Sequence, residues 1–270
     1  MMAVLAGMVL SLSVQAMVPA ATAAPSARPT VPLPAPTTAG AATVGPATVS
    51  PATVSPVPPV TSPPPPTAVD CTKVKCVALT FDDGPVKNTS HVLDALSARG
   101  ARATFFVLGI MARKRPGLLR RMIAEGNAVG DHSWNHPLMF GSKATKIRSQ
   151  FVRTQQVITA ATGERPMLVR PPFGQQDKKV RKTLAKLGSP VILWNVDPED
   201  WKVRKADVVI RRVLKATKRN SIVLLHDVWP STRAAVPAII DKLQAKGFVL
   251  VTVPELLGGS PTPGKVYLHG

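Results

Sequence analysis

The sequence predicts an α/β domain built on a parallel sheet, with a non-globular segment in front of it. Three observations carry this. Composition breaks near residue 70, because everything before it holds only two charged side chains, Arg28 and Asp70, and more than half of the 28 prolines. From Val77 onward, short apolar runs alternate with longer amphipathic ones, the pattern of strands joined by helices and paired in parallel through right-handed crossovers. The unusual polar residues then cluster at the C-terminal ends of the apolar runs, the edge where an incomplete barrel and a doubly wound sheet both carry their chemistry. The pattern alone leaves both architectures open.

Residues 1–23 are uncharged and apolar. Val4 to Val18 has the character of a secretory apolar core, and Ala21-Thr22-Ala23 offers a small-x-small cleavage site, although the basic n-region is missing. The run is near or below the roughly 20 residues that span a bilayer. The expectation is a cleaved signal peptide and export to the wall or medium, with membrane anchoring if cleavage fails. Residues 24–70 are rich in Pro, Ala and Thr and repeat themselves, with Ala47-Thr48-Val49-Ser50-Pro51 followed by Ala52-Thr53-Val54-Ser55-Pro56. Prolines lack amide donors and large apolar groups are rare here, so this stretch is expected to be a disordered, extended spacer.

The folding domain is expected over residues 71–270, long enough to bury one substantial core. Cys71 and Cys76 are its only cysteines, and in an exported chain the default is a disulfide between them. A metal pair is the weaker alternative, since no further cysteine exists. Arg28 and Asp70 cancel, so the domain carries the whole net charge of +19. Such a field attracts polyanions and acidic surfaces, and nucleic acid, anionic cell-wall polymers and membrane surfaces are the candidate partners. Aromatics make up only 4% of the chain and no single helix is arginine-rich, which argues against specific nucleic-acid binding. A monomer is expected.

The apolar runs predict strands over 77–81, 103–108, 128–131, 167–170, 191–196, 222–225 and 248–251. Helices are predicted over 90–99, 116–125, 144–162, 178–187, 206–217 and 233–246. Asp82 and Asp83 then follow the first strand, and His132 and His136 the third. Arg170 ends the fourth, Asp197 and Asp200 follow the fifth, and His226 and Asp227 the sixth.

Two adjacent carboxylates at a buried strand end repel and are poorly solvated, so Asp82-Asp83 calls for positive partners. His132 and His136, four residues apart, face one way on a helical turn or tight loop. With Asp83 they make a three-donor site with open positions, as a catalytic metal requires. Zinc suits these donors best, with cobalt, iron and manganese as the other options. Asp82 is then placed to act as general base on a water acidified by the metal. Arg170, fixed by Pro171-Pro172, pairs with Asp82 and keeps it charged. His226 suits a general acid on the far side of the metal, and Asp200 would orient its ring. His91 and His269 lack such neighbours and are expected at the surface.

Five motifs stand in order: Thr80-Phe81-Asp82-Asp83-Gly84-Pro85, His132-Ser133-Trp134-Asn135-His136, Arg170-Pro171-Pro172-Phe173-Gly174, Asp197-Pro198-Glu199-Asp200-Trp201 and Val223-Leu224-Leu225-His226-Asp227. In these the chain, from about Cys76 to Leu257, resembles the polysaccharide deacetylases of the NodB-homology class, carbohydrate esterase family 4. The resemblance implies a distorted (β/α) barrel of about seven parallel strands. It implies hydrolysis of acetyl groups from N-acetylated sugars or acetylated xylan. It assigns the base to Asp82, the metal to Asp83, His132 and His136, and the acid to His226, with Arg170 and Asp200 orienting base and acid. Trp201 and Leu224 would line the acetate pocket, and a backbone amide near Phe173 would help hold the oxyanion. Phe173 stands where many members have Tyr, which removes a hydroxyl but not the backbone donor. The expected substrate is N-acetylglucosamine in peptidoglycan or chitin-like oligomers. Acetyl-xylan is the competitor within the same chemistry, and an inactive wall-binding module is the competitor outside it.

Overall fold

The computed structural model describes residues 69–270, so the signal peptide expected over 1–23 and nearly all of the spacer expected over 24–70 lie outside the described residues. The strands are β1 (Lys75–Asp82), β2 (Ala103–Val107), β3 (Ala128–Asp131), β4 (Val191–Ile192), β5 (Ser221–Leu225), β6 (Phe248–Leu250) and β7 (Val266–Tyr267). The helices are α1 (Thr89–Ser97), α2 (Gly109–Lys114), α3 (Pro116–Ala124), α4 (Ala144–Thr162), α5 (Lys178–Lys186), α6 (Asp200–Val203), α7 (Ala206–Ala216), α8 (Pro230–Ala245) and α9 (Val253–Leu256).

β1 is the centre. Every residue of it after Lys75 is buried, as a parallel strand covered on both faces requires. It pairs in parallel with β2 on one edge and β5 on the other, β3 lies beyond β2, and β6 pairs with the first residues of β1. Single parallel bridges link Asp131 to Val169, Val169 to Val191 and Val196 to Val223. They carry the pairing from β3 through 167–170 and 191–196 back to β5, a path consistent with a distorted barrel.

Alternation along β1 decides what faces what. Val77, Leu79 and Phe81 pack in one cluster with Val92 and Leu96 of α1 and Val236 and Ile239 of α8. Cys76 and Ala78 pack in another with Phe106, Leu168, Ile192 and Ile222. A period of two therefore puts Thr80 and Asp82 on the face of Cys76 and Ala78, inside the ring of strands, where a polar residue needs a buried partner.

The expected strand over 167–170 is reduced to the bridge at Val169. Pro166, Pro171 and Pro172 flank it and offer no amide donors to a ladder. The run 191–196 is a strand only at Val191–Ile192, since the Ile192 and Leu193 carbonyls accept from the Arg170 side chain. The seventh strand is the two-residue β7, which the apolar pattern does not reveal. Cys71 and Cys76 form a disulfide that ties the chain to the start of β1. Among the described residues no helix is long and apolar enough to cross a membrane.

Leu79 sits at the centre of the outer cluster with no exposed surface. Leu79→Ala is expected to lower unfolding stability by about 3 kcal/mol, through lost burial plus the cavity left behind. Urea denaturation checks this, and an unchanged midpoint would show that β1 does not organise the core.

Candidate active site

The site forms where the chain leaves β1, β3 and β5. Asp82 closes β1 on the inner face, and Asp83 follows with φ 71°, in the left-handed region, which takes the chain out of the strand and keeps both carboxylates on one cavity instead of on opposite faces. Gly84 has no room for a side chain, because a Cβ there would come within 2.6 Å of Asp227 Oδ1. Asp227 is fully buried; burial pushes its carboxyl up to about 6, tempered by the hydrogen bond from the Thr89 hydroxyl.

Beyond β3 the chain makes a tight loop, not a helical turn. The Ser133 amide donates to Asp131 Oδ1 at 2.8 Å, and the His136 amide donates to Ser133 Oγ at 3.2 Å. Ser133 and His136 both take positive φ, 76° and 59°. These bonds turn His136 back so that its ring centroid lies 5.0 Å from that of His132. His132 Nδ1 is 2.7 Å from the Arg170 carbonyl oxygen, which can only accept, so Nδ1 carries a proton and in the neutral tautomer the lone pair is on Nε2.

That lone pair faces the carboxylates. His132 Nε2 is 3.6 Å from Asp83 Oδ1 and 3.6 Å from Asp82 Oδ2, and His136 Nε2 is 3.7 Å from Asp83 Oδ1. The donor atoms of Asp83, His132 and His136 all lie within 4.8 Å of one another. Asp83 Oδ1 is buried and has no hydrogen-bond partner. The distances are too long for hydrogen bonds, and two imidazoles with one carboxylate are the donors that zinc and its neighbours prefer. The residues present therefore fit a divalent cation. Burial, reinforced by neighbouring His132, lowers the pKa of His136 and favours the neutral ring that a ligand must be.

Arg170 is fully buried and takes one oxygen of Asp82, whose other oxygen stays 3.6 Å from His132 Nε2. Its Nη1 donates to Asp82 Oδ1 and to Thr80 Oγ1, both at 2.8 Å, Nε donates to the Ile192 carbonyl at 3.0 Å, and Nη2 to the Leu193 carbonyl at 2.9 Å. Its guanidinium lies 4.2 Å from the centroid of Phe106. Burial lowers its pKa, while the charge and hydrogen bond of Asp82 act the other way.

His226 follows β5 and pairs with Asp200. Its Nδ1 is 2.8 Å from Asp200 Oδ1, and its own amide donates to Asp200 Oδ2 at 2.7 Å. The Thr232 hydroxyl and the Trp201 amide complete the carboxylate's partners at 2.7 and 2.9 Å. Burial alone would lower the pKa of His226. The hydrogen bond and charge of Asp200, with the charges of Asp82 and Asp83, outweigh it and raise the group to about 9.

A cavity of about 440 Å³ joins these groups. Phe173 meets His136 edge-on at 4.4 Å between centroids and leaves most of its ring exposed, Trp201 is half-exposed, and Leu224 is buried in the wall. Phe173 has φ 58°, another departure from ordinary backbone at the site. Trp194, Trp229 and Asp197 also line the cavity, and burial raises the pKa of Asp197. Sequence reasoning gave the two tryptophans no part. Their signal is that one large aromatic stands within the apolar run 191–196 and another shortly after 222–225, in a chain holding only four tryptophans. The guanidinium of Arg204 lies 3.7 Å from the Trp229 ring. His91 and His269 are at the surface. A wider cleft of about 1010 Å³, lined by Arg219, Asn220, Tyr267 and His269, lies at the start of the strands and holds none of the site residues.

The sequence model of the polysaccharide deacetylase family matches residues 69–192. A peptidoglycan-N-acetylglucosamine deacetylase of Listeria monocytogenes is 41% identical over 194 residues, which are 72% of this chain and 41% of that protein. The chain thus spans well under half the length of that relative. A chitooligosaccharide deacetylase of Bradyrhizobium is 34% identical over 69% of this chain and 93% of its own length. A solved structure of a deacetylase with substrate superposes with TM-score 0.71 at 40% identity, over 74% of this chain and all of that one.

Zinc titrated into chelator-treated protein is expected to bind one ion per chain. Asp83→Ala and His132→Ala should each weaken that binding by at least about tenfold, since each removes a ligand. Calorimetric affinities equal to wild type in either variant would refute this ligand set.

Proposed function

The chain belongs to the polysaccharide deacetylase family, and from that membership we propose that it is an exported, zinc-dependent, monomeric enzyme that hydrolyses acetyl groups from N-acetylglucosamine units of peptidoglycan or chitin-like oligomers. One observation carries the reading. An unpartnered, buried Asp83 Oδ1 faces two imidazole nitrogens, with a second carboxylate and a protonated histidine on the same cavity.

A divalent cation held by Asp83, His132 and His136 would polarise the acetyl carbonyl and acidify a water. Asp82 takes the proton from the attacking water. Arg170 occupies Asp82 Oδ1 and leaves Oδ2 on the side of His132 Nε2, where the base has to work. The Phe173 backbone amide, left over at a turn whose Gly174 and Gln175 amides donate to the Pro171 and Pro172 carbonyls, would stabilise the charge that develops on the carbonyl oxygen. Leu224 and Trp201 enclose the acetyl methyl. His226 donates a proton from Nε2 to the departing amine, and Asp200 keeps it charged for that task. The export assignment rests on residues 1–23, and the choice of a wall polymer rests on the +19 charge, which suits an anionic matrix. Neutral acetyl-xylan gives no reason for that charge.

Acetate release from N-acetylglucosamine oligomers tests the chemistry. Chelator should abolish it, and Asp82→Asn and His226→Ala should each lower kcat by about a hundredfold or more. Near-wild-type rates in both variants would sink the assignment. The acid must be protonated to donate, so the rate should fall as pH rises through the pKa of His226. Asp200→Asn removes the carboxylate that raises it, and the alkaline fall should move to lower pH. An unmoved alkaline limb in the kcat/KM profile would show that His226 is not the acid.

A further inference from the structure

The positive charge is not evenly spread. Between His132 and Val196 the sequence holds eleven basic residues and two acidic ones, Glu164 and Asp177. Three of those cations have partners within the fold: Arg170 on Asp82, Arg153 over Trp134, and Arg165 on Gln155. The other eight lie on or beside α4 and α5, are exposed, and enter no ion pair among the described residues. Neither helix contains an acidic residue. Asp177 is committed to the start of α5, where its side chain accepts from the Val180 amide.

Arg148 of α4 and Lys179, Lys182 and Lys186 of α5 line a groove of about 390 Å³, with Thr145 and Thr183 between them. The three lysines are spaced three and four residues apart, so they share one face of α5 and repel one another along it. The first turn of α4 faces the same groove. It has no acidic residue and no side-chain cap, and Lys143 stands where a capping Ser or Asp would offset the helix dipole. Each of these choices raises the positive potential in one recess, and among the described residues no carboxylate lines it.

We infer that this groove binds a linear polyanion, a chain of phosphodiester-linked polyol units. Charges regularly placed on a flexible backbone match a row of lysines. No aromatic side chain lines the groove, so it offers no surface for stacking bases. It is concave and its lining holds no exposed large apolar residue, so it does not suit insertion into a bilayer. The two helices leave the loops that carry His136 and Phe173. A wall polymer held here would anchor the domain by a flank that contributes nothing to the acetyl-binding cavity. This binding is independent of the hydrolytic reading, since none of the groove residues lines the active site.

The test is titration of the full chain with poly(glycerol phosphate) at low ionic strength. Lys179→Glu/Lys182→Glu/Lys186→Glu should bind at least about tenfold more weakly than wild type, and the corresponding Gln variant should lose affinity in the same direction by less. Lys114→Glu/Arg120→Glu/Lys242→Glu makes the same charge change at exposed cations off the groove and should stay within about twofold of wild type. Thermal melts confirm that each variant is folded, and acetate release from a soluble chitooligosaccharide should be unchanged in all three. Equal losses in the groove and control variants would reduce the effect to diffuse net charge and overturn the inference. Wild-type affinity in both groove variants would overturn it too. Tighter, groove-dependent binding of duplex DNA or of anionic phospholipid vesicles would replace the polymer as occupant.

Discussion

The buried pairing of Arg170 with Asp82 is the interaction on which the rest of the site depends. Taking two ions out of water costs several kcal/mol per ion, and the attraction between them offsets this only when the remaining donors and acceptors are satisfied. Here they are. The guanidinium reaches Thr80 and Asp82 on β1 and the carbonyls of Ile192 and Leu193 at the end of β4, and its own carbonyl takes the proton of His132. One residue thus ties three segments of the fold together and aims the base, and its carbonyl orients a ring of the candidate metal group. It also makes two adjacent aspartates unlike. Asp82 is claimed by a cation of the protein, while Asp83, turned toward His132 and His136 where its backbone goes left-handed, is left with an unpartnered oxygen for a cation from outside.

The histidines show the same logic. His132 meets a carbonyl, which leaves a lone pair on the opposite nitrogen and suits a ligand. His226 meets a carboxylate, which favours the imidazolium and suits a proton donor. Both rings lie beside one cavity, and their partners separate the roles. Asp200 performs its part because four donors hold it rigid, including the amide of the histidine it supports.

Much of this was legible in the chain, for physical reasons that can be named. β3 and α4 begin and end where the apolar pattern places them, because each is bounded by polar or glycine-containing turns and α4 is long enough to repeat its period. The end of the first apolar run places Asp82 and Asp83 at the site, but the run is apolar on both faces, so only the packing shows that Asp82 points inward. The segment 167–170 is misread as a full strand because its apolar side chains behave as one while its flanking prolines deny it a ladder. α6 and β7 are too short to show a period. Trp194 and Trp229 escape because an aromatic at a strand end reads equally well as core, and only the closing of the ring brings them to the cavity. The cations of α4 and α5 are visible in the sequence as scattered charge, and only the packing of the two helices turns them into one recess.

The central claim is the division of labour between neighbouring carboxylates, with Asp83 holding the cation and Asp82 handling the proton. Zinc affinity of Asp82→Asn, measured by calorimetry on chelator-treated protein that has lost acetate release, addresses it most directly. The account predicts a loss of no more than about tenfold, smaller than that of Asp83→Ala, because Asp82 oxygens are not among the ligands and act on the cation only through neighbouring groups. A loss of zinc affinity comparable to that of a ligand variant would contradict it.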